Sequence, residues 1–353
     1  MRLLCLAGRH QTARSSTEEV FRLVTTLKFL LNTLMPVWMI VFALVAYFNS
    51  SFFLALAPHT SQFLGIVILC MGLTLTPQKL REGVIHNPKT IVVGFFGKWL
   101  WSVLPGVLIA YIVLRGYPSL AAGTILAGST PSGASSNLFT FLGGGTVAVS
   151  VTLTVINTLL APILTPFFTK VFANRYVPVH FWSIFWAAAQ VVLIPIVLGI
   201  LLRLAFKKTV AKVEPALPLI SAVFLYGVDI GTVAGAHGAL SKNLAIIPLL
   251  VGVVLFQIFV SLILGYLSGH LTHRSVADSR AIMFETGIYN AGLGTVLATT
   301  AFGPLAAISP LLNMVLNMVI GAALASLLST FDTHRAGGGR LQHIAGPDSG
   351  PPA

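Results

Sequence analysis

Phe284-Glu285-Thr286-Gly287-Ile288-Tyr289-Asn290-Ala291-Gly292-Leu293-Gly294 sets a carboxylate, an amide and three glycines in the middle of an apolar run that reads as one membrane span over residues 279–302. An apolar run of that length crosses a hydrocarbon layer of about 30 Å. An ionised carboxylate at its centre costs about 2.5–3.5 kcal/mol on insertion scales. Glu285 must therefore pair, take up a proton or hold a cation. The glycines and the amide also break the helix at membrane depth, where irregular backbone is tolerated only if it is buried in protein or lines a wet cavity.

A second stretch has the same character. Ala127-Gly128-Ser129-Thr130-Pro131-Ser132-Gly133-Ala134-Ser135-Ser136-Asn137 lies in an apolar run over 118–142, and Pro131 with Gly133 interrupts the helix there. Between and around these two breaks, apolar runs place further spans near 34–49, 61–76, 91–114, 146–170, 181–202, 216–236, 244–269 and 304–329. The fold class is an all-α membrane protein with about ten crossings. The two breaks fall in spans four and nine, five spans apart. An odd offset inserts the two halves, 34–170 and 181–329, in opposite senses, the inverted-repeat plan in which paired broken helices hold substrate and coupling ion near the midplane.

Composition agrees. The chain has 56% hydrophobic and 8% charged residues, against about 25% charged in soluble domains. A formal charge of +12 raises the question of nucleic acid, and the positions of the basic residues answer it. Sixteen of the 21 lysines and arginines fall in the two tails and the loops on their side, Arg81, Lys89, Lys207 and Arg274 among them; Arg115, Lys170, Arg175 and Lys242 fall on the other side, and Lys98 inside a span. By the positive-inside rule both termini are cytoplasmic, and the basic balance follows topology, with no nucleic-acid face. The expected organisation is a cytoplasmic lead over 1–30, a transporter domain over 31–330 and a disordered cytoplasmic tail over 331–353. The expected setting is the inner membrane of a bacterium. Cys5 and Cys70 are too few for a disulfide framework or a metal cage. No nucleophile triad or phosphate loop marks an enzyme or an ATP-driven pump.

Glu285 needs oxygen neighbours if it is to hold a cation. Ser150, Thr154 and Asn157 follow i, i+4, i+7 spacing on one face of the fifth span, with Thr158 beside them. One carboxylate with several hydroxyl and amide oxygens suits a hard cation and lacks the several carboxylates usual for calcium, so sodium fits better.

At these residues the chain resembles the bile acid:sodium symporter family. The resemblance covers roughly residues 30–330 and is carried by Met71-Gly72-Leu73-Thr74-Leu75, by Pro131 to Asn137 and by Glu285 to Asn290. It implies panel and core domains, crossing broken helices in the core, and alternating access for a small organic anion such as a bile acid, a pantothenate-like anion or another carboxylate. It also implies a first sodium site on Ser136, Asn137, Ser150, Thr154 and Glu285, each of the expected type here. A second cation region would involve Thr286 and Ile288 with two glutamines that this chain lacks. Tyr289 stands where one is expected, and Lys98 stands near the other.

A lysine there could replace the second ion, leaving one sodium per cycle or one sodium with a proton exchange. The other readings of Lys98 are pairing with Asp229, contact with the substrate and snorkelling to an interface. For the substrate, the resemblance points to Asn290, and the amides from Gly133 through Ala134 to Ser135 would favour a carboxylate by the half-helix dipole. The rival function is a proton-coupled carrier or cation/proton antiporter using Glu285 and Lys98. No cofactor is expected beyond the coupling ion.

Overall fold

A computed structural model describes residues 34–75 and 77–344, with the side chains of 77–80, 82 and 333–344 left out of the description. The lead over 1–30 and residues 345–353 lie outside the described residues. The described chain is helical, with no strand; an isolated antiparallel bridge joins Ser132 to Tyr289. The principal helices are α1 (Met35–Phe48), α2 (Thr60–Thr74), α3 (Pro77–His86), α4 (Pro88–Ile112), α5 (Pro118–Gly128), α6 (Ser135–Leu142), α7 (Val147–Ala173), α8 (Phe181–Ala188), α9 (Ile194–Ala205), α10 (Lys207–Val213), α11 (Leu217–Lys242), α12 (Ile247–Leu271), α13 (Val276–Gly287), α14 (Ala291–Phe302) and α15 (Ile308–Ile344). Among the described residues, seven helical stretches are long and apolar enough to cross a membrane. The remaining expected spans fall on shorter pieces: 34–49 on α1, 118–142 on α5 and α6, and 279–302 on α13 and α14. Helix α15 continues to Ile344, through the first part of the segment expected to be a disordered tail.

Prolines decide several helix starts. Pro88 and Pro118 sit in the first turns of α4 and α5, where a missing N–H costs nothing. Pro195 lies in the first turn of α9, and the five residues before α9, Ala189–Leu193, form a π-helical turn. The ring of Pro195 would clash with the carbonyl of Val191 in a regular α-helix, and the wider turn relieves that clash.

The chain forms two compact units. One takes the chain up to Leu75 with Gln190–Ser241, and the other takes Thr76–Ala189 with the chain from Lys242 onward. In the first, Arg203 of α9 donates to the Leu73 carbonyl at 2.5 Å and pairs with Glu214 at 3.1 Å, closing the end of α2. Asp229 of α11 also lies in this unit. It is fully buried, and neither carboxylate oxygen has a hydrogen-bond partner among the described residues.

The second unit holds every expected site residue. Its register is set by packing. Ile91 of α4, Val149 and Leu153 of α7, and Ala281 and Ile282 of α13 form one buried cluster. Lipid tails are as apolar as these side chains, so close packing, more than escape from water, holds the cluster together. Leu153 precedes Thr154, and Ile282 lies one helical turn before Glu285, so this cluster brings the two polar faces together.

Candidate functional site

The two interrupted helices meet at their breaks. The Gly133 amide donates to the Ile288 carbonyl at 3.0 Å, and the Asn290 amide donates to the Pro131 carbonyl at 2.8 Å. Each break thus supplies the hydrogen bonds the other has lost, which answers the requirement for satisfied backbone at membrane depth. Pro131 stops the first helix because it cannot donate. The second has no proline. Asn290 starts α14 as its N-cap, its side-chain oxygen accepting from the Leu293 amide at 3.1 Å. A Cβ on Gly133 would sit 2.6 Å from the Tyr289 carbonyl oxygen, so this crossing needs a residue without a side chain.

Glu285 lies in the last turn of α13 and is fully buried. Its Oε1 accepts from the hydroxyls of Ser136, of Ser150 at 2.6 Å and of Thr154 at 2.8 Å. The Asn137 side-chain oxygen stands in reach of the same Ser150 and Thr154 hydroxyls, at 2.8 and 3.2 Å. All five residues expected for the first ion site therefore converge. The hydrogen count is informative. A hydroxyl has one proton to give, and Ser150 and Thr154 each face both Asn137 Oδ1 and Glu285 Oε1. These five oxygens share the hydroxyl hydrogens of Ser136, Ser150 and Thr154, with a fourth reaching Ser150 from Thr140, so lone pairs are in excess in a largely buried place. Such an excess of oxygen lone pairs could hold a cation.

The second expected region is arranged differently. Lys98 is fully buried in α4; its Nζ lies 3.5 Å from the Thr286 carbonyl oxygen and 4.5 Å from the centroid of the Tyr289 ring. Burial overturns the snorkelling reading, and Lys98 forms no ion pair among the described residues. The ammonium sits at the C-terminal end of the half-helix α13, where carbonyls lose their intrahelical partners and cations are favoured. The Tyr289 hydroxyl bonds Ser261 at 2.6 Å. The Ile288 carbonyl already receives the Gly133 amide. Glu285 Oε2 and the Thr286 hydroxyl have no hydrogen-bond partner among the described residues.

Of the residues expected to meet substrate, Ala134 is exposed, Ser135 and Asn290 are half-buried, and the Ser135 hydroxyl has no partner among the described residues. Gly133 is buried with its amide committed to the crossing, which removes that amide from the candidates. Asn157, grouped in the sequence with the ion-facing oxygens, is a brace. Its amide nitrogen donates to Ser132 at 3.1 Å, and its oxygen accepts from the Trp99 indole at 3.0 Å. Ser132 in turn donates to the Glu285 main-chain carbonyl at 2.9 Å, and Thr140 donates to Ser150 at 3.2 Å. Neither Ser132 nor Thr140 is assigned a role by the sequence reading. On the opposite side of the crossing, Asn317 donates to the Tyr289 carbonyl at 3.1 Å.

Crossing interrupted helices with an oxygen-rich buried cluster mark a multi-pass membrane protein of the secondary-carrier class. Comparison with known proteins agrees. The Sodium Bile acid symporter family matches residues 61–243. The uncharacterized sodium-dependent transporter YocS of Bacillus subtilis is 33% identical over 313 residues, which is 88% of this chain and 95% of YocS. The probable sodium/metabolite cotransporter BASS1 of Arabidopsis thaliana chloroplasts is 36% identical over 84% of this chain and 73% of its own length. The chloroplastic BASS2 of Oryza sativa subsp. japonica is 34% identical over 84% of this chain and 70% of its own. The chain belongs to the sodium bile acid symporter family.

Proposed function

We propose that the protein is a sodium-coupled symporter of a small organic anion, with sodium held by Ser136, Asn137, Ser150, Thr154 and Glu285. The observation that carries this is the shortage of hydrogens among those five oxygens. The relatives named as sodium-dependent or as sodium/metabolite cotransporters agree in coupling ion and in a small-molecule cargo. The cargo class is a bile acid, a pantothenate-like anion or another carboxylate, met by Ala134, Ser135 and Asn290 beside half-helix N-termini. The two compact units correspond to panel and core, and transport proceeds by alternating access.

Ten crossings with both termini in the cytoplasm of a bacterial cell place the halves in inverted order. Matched contacts support this reading. Lys98 donates to the Thr286 carbonyl of the second broken helix, and Gln257, its counterpart in the other half, donates to the Thr124 carbonyl of the first at 3.3 Å. Asn157 and Asn317 brace the two breaks in the same paired fashion.

The test is thermal. Sodium chloride should raise the melting temperature of the purified protein above that in choline chloride at equal ionic strength, because a ligand of the native state stabilises it by mass action. Glu285→Gln should abolish the difference. An equal sodium response in parent and variant overturns the assignment.

A second reading concerns stoichiometry, and the buried Lys98 ammonium favours it. Standing against the Thr286 carbonyl, it occupies the second cation region, so one sodium accompanies each cargo. A Hill coefficient for sodium of about one is expected in proteoliposomes. A coefficient near two that Lys98→Gln leaves unchanged overturns it. Accumulation driven by a proton gradient without sodium would instead identify the proton-coupled carrier or antiporter.

A further inference from the structure

Two acidic side chains are buried among the described residues, Glu285 and Asp229. Asp229 lies in the first compact unit, apart from the oxygen cluster of the second. Helix α11 runs from Leu217 to Lys242, which puts Asp229 at its midpoint, about 18 Å along the axis from either end. In a span crossing a hydrocarbon layer, that is the point farthest from water. Neither carboxylate oxygen has a hydrogen-bond partner, and no ion pair reaches the side chain among the described residues.

The elements packed on α11 bring little that could compensate a charge. A Cβ on Gly227 would meet the Phe63 ring, one on Gly231 would meet Thr60 and the Leu56 carbonyl, and one on Gly235 would meet the Ala57 methyl, so α2 and the turn before it lie close along this helix. From α1, the Phe42 ring stands 5.0 Å from that of Tyr226. The titratable groups of these elements are His59 and Cys70 from α2 and the turn before it, Tyr47 of α1, and Tyr226, His237 and the terminal Lys242 of α11 itself. His59 lies against the Phe63 ring and His237 against Tyr47. Tyr226, one turn before Asp229, is buried, as is Cys70. None of these groups bonds the Asp229 carboxylate. No group of three or more His, Cys, Asp or Glu gathers here among the described residues, so a metal ion has no cage. An acid offered neither donor nor cation at the centre of a span is left with the proton as its partner.

We propose that Asp229 is a proton-binding site of the first unit, protonated in the conformation described. Protonation replaces an uncompensated charge by a neutral group that can donate as well as accept. The site gives the protein a dependence on pH that does not pass through the sodium ligands, all of which lie in the other unit. In the unfolded chain an aspartate ionises above a pH of about 4. Folding then takes up one proton, so the folding constant falls about tenfold for each pH unit above that point, until Asp229 ionises in the folded protein as well.

The full-length protein in detergent would be studied by infrared spectroscopy near neutral pH, with and without aspartate carrying carbon-13 in its side-chain carboxyl. The label should move a protonated-carboxyl band to lower frequency, which separates aspartate from Glu285. Asp229→Asn should remove that band. Of the other described aspartates, Asp278 accepts from Thr90 and Asp332 pairs with Arg280, and both are partly exposed. Melting temperatures of the parent and of Asp229→Asn would be compared across the pH range at one sodium concentration. The gap, variant minus parent, should widen as the pH rises, because the amide keeps the neutral form and has no proton to lose. If the variant does not fold, the labelled parent alone gives the answer. A parent spectrum with no protonated band moved by the label, a band that survives in folded Asp229→Asn, or a melting-temperature gap that stays constant with pH would each overturn the proposal.

Discussion

Removing a hydroxyl from the five-oxygen cluster is not equivalent at every position. Thr154 donates within the cluster and also lies 3.0 Å from the Ser150 main-chain carbonyl, so its hydroxyl has three acceptors for one proton. Thr154→Val keeps the shape and deletes an oxygen. It should weaken sodium about tenfold or more, the usual worth of one charged contact, while Thr154→Ser should remain near the parent; isothermal titration with sodium measures both. Asn157→Ala is expected to behave differently, because both ends of that amide are taken by Ser132 and Trp99. It should lower the melting temperature in the absence of sodium and leave the sodium increment largely in place. The chemical types and spacing of Ser150, Thr154 and Glu285 are legible in the sequence, because a carboxylate in an apolar run demands partners. The brace was not legible. Its donor and acceptors come from helices far apart in the chain, and the Ser132 to Glu285 contact alone spans 153 residues.

At the level of the helices, the two interruptions arise from different chemistry. Pro131 with Gly133 is a strong local signal, and it predicts the first break wherever the chain is placed. The second depends on Asn290 capping α14, which a sequence reading assigns as readily to cargo as to backbone. Asn290→Ala should therefore cost about 1 kcal/mol of stability through the lost cap, readable as a fall in melting temperature with no cargo present. Gly133→Val should be far worse, since its side chain would meet the Tyr289 carbonyl oxygen across the crossing. The expected result is loss of sodium-dependent stabilisation even though every oxygen ligand is retained. A Gly133→Val protein that answers sodium like the parent would mean that the crossing is not what holds the cluster together. The antiparallel bridge between Ser132 and Tyr289 could not be inferred from either stretch alone, because each lacks only what the other provides.

Over the whole molecule, the apolar runs anticipated where helices form, whereas the boundaries of the two units follow from contacts within each and could not be read from the runs. The chain passes between the units next to Leu75, near Ser241, and between Ala189 and Gln190. The first two passages follow or approach helix ends. The third falls within the π-helical turn Ala189–Leu193, in the middle of an otherwise continuous helical stretch, Phe181–Ala205. Pro195→Leu removes the ring that makes the wider turn necessary. It should slow cargo exchange in proteoliposomes while leaving sodium affinity unchanged; an unaltered exchange rate would deny the turn any part in the cycle. A rod that is weak at one short place yields there before it yields elsewhere. Amide hydrogens around Val191 should accordingly trade for deuterium sooner than those of α7 or α12, and cargo held in place should slow that trade.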